Sequence, residues 1–356
     1  MEKVHIFTHD DLDGIVSAAM YKNYFQHDNP CRIRAVPSGC RGERFNRLID
    51  WEVKEGDKLV VLDFEIHHRA NLWIDHHFEH TIGSEPVCGE KVVYDPRARS
   101  AAELVYKYID DEDFTSDYLA DVSKIDMGEY ESVEEIFTSK TPMMQLRAEM
   151  EMMVQNDHAL ARIAETISAC EMCIEDALWI LGINHRTVDE VRNEAGRCRK
   201  FMTSYGDVVV LSQIRPNQFP RYSEYLMAPN AKYSIRTTKA PNDRFQVQVG
   251  ANKWAAKNDV NIGKMMSSLK SAESGGGHFN VGGGRILASK YEDAITEILS
   301  HLNDGADVEK YAVDKNDPVE KRAREMVKNA GVKINEARDM ASKVDGEPES
   351  DDGPQG

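Results

Sequence analysis

The chain has 356 residues and a formal net charge of −17, from 44 basic and 61 acidic residues. Its length suggests two domains, and its acidity disfavours a protein that works mainly on long nucleic acid, which usually needs a basic footprint. No apolar run reaches the roughly 18 residues of a membrane helix, and no signal-peptide pattern follows Met1, so we expect a cytoplasmic protein. The charge favours a small or short anionic substrate that is held locally.

The first part of the chain alternates strand-like and helical patterns. Short apolar runs predict strands at 3–8, 33–36, 58–62 and 72–74. Helical patterns cover 15–25 and about 100–109. The second helix begins with Ser100 as N-cap and Glu103 three residues later, which is a capping box. This alternation predicts an α/β domain with a parallel sheet.

Metal-type side chains follow three of these strands. They are His9, Asp11 and Asp13 after the first strand, Asp63 after the third, and Asp75, His76 and His77 after the fourth. Ligands bind at the carboxyl ends of parallel strands, so these side chains are expected to meet at one edge of the sheet. Carboxylates beside imidazoles suit a borderline divalent ion such as Mn²⁺, Zn²⁺ or Fe²⁺. Any one cluster is compatible with an ordinary surface, but three in one short region indicate a metal centre.

The middle of the chain is acidic and then helical. Most carboxylates between 110 and 135 are expected to face solvent, but Asp126 ends a helical pattern, and a helix end near a sheet edge can deliver one carboxylate inward. Residues 142–200 are Met-rich and helical in period, which we interpret as core packing. Cys170 and Cys173 form a C-x-x-C pair without a second pair at zinc-finger spacing, so we interpret them as residues packed in one helix, Ile167 to Leu181.

A second domain is expected to begin near Gly206. Strand patterns at 207–211, 232–237 and 245–249 precede a helix at 261–269. The stretch 274–284 then contains six glycines, which would let backbone N–H groups approach an anion and so predicts a phosphate-binding loop. The alternative is a flexible linker, which the few serines and the following apolar segment disfavour. Beyond Leu302 the chain is highly charged, and 345–356 has the composition of a disordered tail.

Together these motifs resemble the DHH phosphoesterase superfamily, in the branch with an additional DHHA1 domain. The family has four metal motifs, and this chain has a stretch that resembles each of them. In order, they are His9-x-Asp11-x-Asp13-Gly14, Asp63, Asp75-His76-His77 and Asp126. A helix start of the family resembles Ser100-Ala101-Ala102-Glu103. The family's glycine–histidine motif resembles Gly275-Gly276-Gly277-His278 with Val281-Gly282-Gly283. The strand whose arginine contacts the substrate phosphate in the family resembles Ser234-Ile235-Arg236. Val281 and Gly282 stand where the family usually has two alanines. The compact spacing of the first motif differs from the longer spacing of pyrophosphatases and some RecJ members.

The resemblance implies an α/β fold with a cleft between two domains. An N-terminal parallel-sheet DHH domain would occupy 1–190, a helical linker 191–205, and a smaller C-terminal α/β DHHA1 domain 206–302. Residues 303–356 would form a charged helical segment and an acidic tail.

The resemblance also implies two Mn²⁺ ions, with Mg²⁺ or Co²⁺ as alternatives. His9, Asp11 and Asp63 would hold one ion, and Asp13, Asp63, His76 and Asp126 the other. Asp63, Asp75 and His77 would be the catalytic residues, with His77 meeting the phosphate or the leaving oxygen. Arg236, Gly275, Gly276, Gly277 and His278 would grip a terminal phosphate of the substrate.

The implied activity is a manganese-dependent phosphodiesterase of the nanoRNase or oligoribonuclease type. It would cut short oligonucleotides, including linear dinucleotides, to nucleoside monophosphates. The alternatives are a RecJ-like single-strand exonuclease, a pAp, polyphosphate or cyclic-dinucleotide hydrolase, and a catalytically idle nucleotide-binding module. The net charge weighs against the exonuclease, and the complete set of ligand positions weighs against the idle module. A membrane partner is not expected, and a homodimer is compatible with the sequence.

Overall fold

The computed structural model describes residues 3–25, 31–37, 40–77, 91–109, 116–153, 156–215, 218–255, 258–277 and 279–303. His278 and the predicted C-terminal segment after residue 303 lie outside the described residues. The chain divides into two compact units, Met1–Asn193 and Glu194–Gly356.

In the first unit the described residues form a five-stranded sheet whose neighbouring strands all run parallel. The strands are β1 (Val4–His9), β2 (Cys31–Val36), β3 (Lys58–Leu62), β4 (Leu72–Asp75) and β5 (Lys91–Tyr94), in the spatial order β2-β1-β3-β4-β5. Strand β5 had no counterpart among the predicted strands. The parallel α/β sheet expected from the sequence is confirmed.

Helices surround this sheet and bury both of its faces. They are α1 (Leu12–Phe25), α2 (Glu43–Glu52), α3 (Ala101–Ile109), α4 (Ser116–Asp126), α5 (Val133–Thr138), α6 (Pro142–Met152), α7 (Asp157–Ala169), α8 (Ile174–Leu181) and α9 (His185–Arg197). Successive strand residues point to opposite faces, so Ile6 joins the core beside α1, whereas Phe7 joins the core beside α2. Among the described residues, no helix combines the length and apolar composition that crossing a membrane requires.

The C-x-x-C pair lies between two helices rather than inside one. Cys170 is the C-cap that follows α7, and Cys173 is the exposed residue that precedes α8. Glu171 and Met172 between them have left-handed backbone, with φ of 51° and 65°. The prediction of one continuous helix is therefore wrong, because left-handed backbone at these two residues interrupts the helix.

The second unit contains a six-stranded mixed sheet in its described part. Its strands are β6 (Met202–Tyr205), β7 (Val208–Gln213), β8 (Tyr233–Ala240), β9 (Arg244–Ala251), β10 (Ala272–Gly277) and β11 (Val281–Leu287), in the order β10-β11-β9-β8-β7-β6. Only the described pair β7 and β8 runs parallel. The helices are α10 (Ser223–Met227), α11 (Ile262–Ser268) and α12 (Tyr291–Leu302), and the last two share an apolar core with the sheet.

Two sequence-based expectations differ from this unit. Residues 202–205 of the predicted helical linker form β6, which pairs with β7, whereas residues 191–197 are helical within α9. The glycine-rich stretch is not an open loop, because Gly275–Gly277 pair with Gly282–Gly284 in the antiparallel strands β10 and β11. A Cβ on Gly275 would lie 2.1 Å from the Met266 carbonyl oxygen, so glycine here lets α11 lie directly against the strand backbone.

Candidate metal centre

The turn from β1 into α1 places the first three ligand candidates. His9 is the last residue of β1, Asp11 precedes the helix, and Asp13 lies in its first turn. Asp11 Oδ1 accepts a hydrogen bond from the Gly14 N–H at 3.0 Å, and Thr8 Oγ1 donates to the Gly14 carbonyl at 2.7 Å. A Cβ at position 14 would lie 2.5 Å from the His9 carbonyl oxygen, so this turn requires glycine.

Asp63 follows β3 and is completely buried. Its φ of 52° is left-handed, a conformation that costs backbone energy and is often found at functional sites. The Asp63 N–H donates to the Ile74 carbonyl at 2.8 Å, which fixes this conformation against β4. Within the described part of the chain, neither carboxylate oxygen has a hydrogen-bond partner. A buried carboxylate in this state is suited to an added cation.

Asp75 ends β4 and organises the two histidines that follow it. Its Oδ1 accepts from the backbone N–H groups of His76 at 2.8 Å and His77 at 3.1 Å, and from His77 Nδ1 at 3.0 Å. Asp75 is completely buried, whereas the His77 side chain is 27% exposed. This geometry favours a positioning role for Asp75 and leaves His77 as the residue that can meet a substrate.

His76 is oriented as a metal ligand. Its Nδ1 donates to the Ala98 carbonyl at 3.2 Å, and because a carbonyl only accepts, Nε2 carries the lone pair. Nε2 is buried without a hydrogen-bond partner among the described residues. It lies 3.6 Å from Asp13 Oδ2, 3.7 Å from Asp63 Oδ1 and 3.5 Å from Asp126 Oδ2. Asp126 is the last residue of α4.

The structure brings the six predicted metal ligands into two groups that share one edge of the sheet. In each group the ligand atoms lie within 4.8 Å of one another, and the groups are His9, Asp11 and Asp63, and Asp13, His76 and Asp126. A further group of the same kind joins Asp63 and His76 to Asp75 and His77. These groups combine carboxylate oxygens with imidazole nitrogens, a set of ligands that fits Mn²⁺ or a similar divalent ion.

The crowded carboxylates hold protons unusually tightly. Burial and the neighbouring Asp11 carboxylate raise the pKa of Asp13 to about 7. Burial and the Asp13 carboxylate raise the pKa of Asp126 to about 7 as well. Burial, together with Asp13, raises the pKa of Asp63 well above its usual value. A bound divalent ion would replace these protons and relieve the repulsion between the carboxylates.

The same carboxylates stabilise the charged form of the neighbouring histidines and so raise the pKa of His9 and His77. Burial opposes the charged form of His77, but its ion pairs with Asp63, at 3.3 Å, and Asp75, at 3.0 Å, outweigh burial and raise the pKa of His77 to about 11. Burial alone would raise the pKa of Asp11, but the contact with His9, 2.6 Å from Nδ1 to Oδ2, holds that pKa below its usual value. His9 Nδ1 thus lies within hydrogen-bond distance of Asp11 Oδ2, where the resemblance implies that both residues hold one ion.

The first turn of α3 also reaches this centre. Asp13 accepts from the N–H groups of Ala101 at 2.6 Å and Ala102 at 2.8 Å. Ser100 Oγ accepts from the Glu103 N–H at 3.2 Å, as the capping box predicts, but the Glu103 carboxylate accepts from the N–H of Arg99 rather than of Ser100. Ser100 Oγ also lies 2.8 Å from Ser123 Oγ on α4. Ser123 was not among the predicted residues, although its i, i+3 spacing to Asp126 places both on one helix face.

In the second unit, Arg236 lies on β8 and is engaged with protein groups. Its Nε lies 3.0 and 2.9 Å from the two carboxylate oxygens of Glu224, and Nη2 donates to the same carboxylate and to the Pro220 carbonyl at 2.8 Å. Only 12% of the Arg236 side chain is exposed. The sequence singled out the arginine but not Glu224, because their pairing depends on how α10 folds against β8. This geometry favours a structural role, and phosphate binding by Arg236 stays a prediction.

Comparisons with known proteins identify the fold. No protein-family model matches the chain, and no curated protein sequence matches it. The pGpG-specific phosphodiesterase PggH from Vibrio cholerae aligns with a TM-score of 0.59 and 18% identity, over 86% of this chain and 100% of that one. RecJ from Thermus thermophilus, solved in complex with Mn²⁺, aligns with a TM-score of 0.51 and 13% identity over 85% of this chain. This chain spans about half of RecJ, since the match covers 52% of it.

Proposed function

Since the chain has the DHH superfamily fold, we propose that it is a metal-dependent phosphodiesterase. Its substrates would be short oligonucleotides, including linear dinucleotides, which it hydrolyses to nucleoside monophosphates. The observation that carries this proposal is the convergence of carboxylates and imidazoles around Asp63 and His76, whose buried ligand atoms lack hydrogen-bond partners in the described part of the chain. Most buried polar groups in proteins have a hydrogen-bond partner, so a cluster of unpaired ligand atoms is best explained by a bound cation.

We assign the ligands as two sets that share Asp63. His9, Asp11 and Asp63 would hold one Mn²⁺, and Asp13, Asp63, His76 and Asp126 the other, with Mg²⁺ or Co²⁺ as alternative ions. When bound, such a pair of ions supplies Lewis-acid activation of a phosphodiester. Asp63 suits the shared position because its Oδ2 lies 3.9 Å from His9 Nδ1 and its Oδ1 lies 3.7 Å from His76 Nε2.

The remaining residues of the centre would handle the substrate and its protons. Asp75 fixes the ring of His77, so His77 can contact the phosphate or stabilise the leaving oxygen without losing its orientation. The His77 side chain is 27% exposed, so it can reach an anion beside the ligand groups. In the second unit, Gly275, Gly276, Gly277 and His278 remain proposed phosphate contacts.

A short substrate fits the charge of the chain and the extent of the comparisons. A net charge of −17 disfavours tracking along a polyanion. The match to the pGpG phosphodiesterase covers that protein completely, whereas about half of RecJ has no counterpart in the match. These observations support dinucleotides and short oligomers as substrates over long single strands. The test below distinguishes this activity from a RecJ-like exonuclease.

The test uses EDTA-treated full-length protein with Mn²⁺ or Ca²⁺ added back. Initial rates are measured on RNA and DNA ladders from dimers to twenty-mers. We expect Mn²⁺ to restore activity and Ca²⁺ to fail, because Ca²⁺ prefers more numerous oxygen ligands than these groups offer. The fastest substrates should be the shortest. Faster cleavage of twenty-mers would favour the exonuclease, and equal rates with both ions would overturn the His-containing centre.

Matched histidine variants connect the activity to the centre. His76→Ala removes a buried ligand candidate, whereas His158→Ala removes an exposed histidine on α7. We expect His76→Ala to lose at least about a hundred-fold in rate, because even supporting residues of metal sites cost ten- to hundred-fold. His158→Ala should retain full activity, and similar rates for both variants would place the chemistry elsewhere.

A further inference from the structure

The short segment 98–102, which leads into α3, contacts two members of one ligand group and the helix that carries the third. The Ala98 carbonyl accepts from His76 Nδ1 at 3.2 Å, and the N–H groups at 101 and 102 donate to Asp13 at 2.6 and 2.8 Å. Ser100 Oγ lies 2.8 Å from Ser123 Oγ, on the helix that ends at Asp126. One helix start therefore supports three ligands that come from distant parts of the chain.

Each contact constrains a different property of its ligand. The Ala98 carbonyl accepts from His76 Nδ1, so in the neutral ring Nε2 is the nitrogen that can bind an ion. The two helix N–H groups hold one carboxylate oxygen of Asp13 each, and the positive end of the helix dipole favours its charged form. Tautomer and carboxylate rotation are thereby set before any ion arrives.

Ser123 makes the third connection, through its helix rather than through the ligand. It is buried and precedes Asp126 by three residues, so both side chains lie on one face of α4. The hydroxyl pair with Ser100, also buried, connects this face of α4 to the start of α3. An ion pair also joins Arg99 to Glu129, three residues beyond α4, but both side chains are about half exposed, so its contribution is small.

The other ligand group is supported by different parts of the fold. His9 and Asp11 are placed by the end of β1 and the turn around Gly14, and Asp63 by its backbone hydrogen bond to Ile74 on β4. Removing the contact between Ser100 and Ser123 should therefore weaken ion binding by the group with Asp13, His76 and Asp126 more than by the group with His9 and Asp11.

We propose that Ser123 is a positioning residue for the ion held by Asp13, Asp63, His76 and Asp126, acting through Ser100 and α4. This inference rests on the proposed function, since it assumes that divalent ions occupy both groups. It predicts that the two ion sites respond unequally when the hydroxyl pair is removed.

The experiment measures Mn²⁺ binding directly on the full chain. EDTA-treated protein is titrated with Mn²⁺ while free ion is followed by electron paramagnetic resonance, and far-UV circular dichroism confirms folding. The variants are Ser123→Ala, Ser100→Ala and the double variant. The control is Ser132→Ala, because Ser132 caps α5 by accepting from the Glu135 N–H at 3.2 Å, the same distance as in the Ser100 cap.

We expect the wild type to bind two Mn²⁺ and Ser123→Ala to weaken one site by about ten- to hundred-fold, the usual effect of removing support from a ligand. The other site should change by less than about two-fold, and Ser132→Ala should alter neither. If the two serines act through one bond, the double variant should bind Mn²⁺ no more weakly than Ser100→Ala.

Three results would overturn the inference in distinguishable ways. Equal weakening of both sites by Ser123→Ala would indicate general loosening of the unit, and unchanged binding would reduce Ser123 to ordinary packing. In both cases the wild type still binds two ions, so the proposed function survives. A wild type that binds no divalent ion would overturn the proposed function and this inference together.

Discussion

The crowded carboxylates predict that the metal-free protein is destabilised by its own ligand cluster. Asp126 tests this most directly, because burial and the Asp13 carboxylate raise its pKa to about 7 and only 17% of its side chain is exposed. Asp126→Asn removes the charge and preserves the size of the side chain. We expect this variant to be more stable than the wild type when no metal is bound and the pH is above 7.

The magnitude follows from the difference between folded and unfolded pKa. An acid whose pKa is raised by folding contributes stability below its unfolded pKa of 3.8 and loses it as the pH rises through about 7. A shift of this size corresponds to at most about 4 kcal/mol. Protonation of Asp13 relieves part of the same repulsion, so we expect a gain of about 2–3 kcal/mol, or roughly 5–10 °C in Tm.

The assay is thermal unfolding of EDTA-treated protein at pH 8.0 and pH 5.0. The control is Asp121→Asn, on the same helix but outside the ligand groups. Asp126→Asn should melt above the wild type at pH 8.0, and the difference should shrink by more than half at pH 5.0. Saturating Mn²⁺ should reverse the order, because it stabilises only a protein that binds it. A metal-free Asp126→Asn that melts below the wild type at pH 8.0 would refute the argument.

Three further outcomes follow from the packing. Gly14→Ala forces a Cβ to within 2.5 Å of a backbone carbonyl at the end of β1, so the ligand turn must shift and kcat/KM should fall about a hundred-fold. Trp73→Phe removes the buried donor to the Phe64 carbonyl, 2.8 Å away, and should lower the free energy of unfolding in urea by about 1–3 kcal/mol. Arg236→Ala removes the charged partner of buried Glu224, which keeps its hydrogen bond from Ser234, and should cost about 3–5 kcal/mol in the same assay. Adding Glu224→Gln to this variant should recover much of the lost stability. If Arg236→Ala is as stable as the wild type, the arginine is not structural, and the result favours a role in substrate binding.

The ligand-bearing edge could be predicted because strand and ligand lie next to each other in the sequence. Lys58–Leu62 is an unbroken apolar run, and Asp63 follows it directly, so the strand and its terminal carboxylate were apparent without tertiary information. Asp126 was harder, but it still ends a helical pattern.

The remaining features depend on partners that are distant in the sequence. Strands β10 and β11 were missed because glycine has no side chain to reveal a period of two, and their packing depends on the backbone of Met266. Ser123 meets a partner 23 residues earlier, and Glu224 meets Arg236 across 12 residues. Neither spacing is a local motif, so only the folded chain shows which polar residues support a ligand.

The order of the ligands along the chain has a consequence for biosynthesis. Asp13 lies near the start of the chain and Asp126 more than a hundred residues later, yet both belong to one ligand group. A nascent chain therefore cannot complete that group until α4 has left the ribosome. A metal ion captured earlier would meet at most the incomplete set supplied by the first strands. Loading with metal should thus follow synthesis and folding of this unit, and a chain stalled before residue 126 should be released without a complete complement of ions.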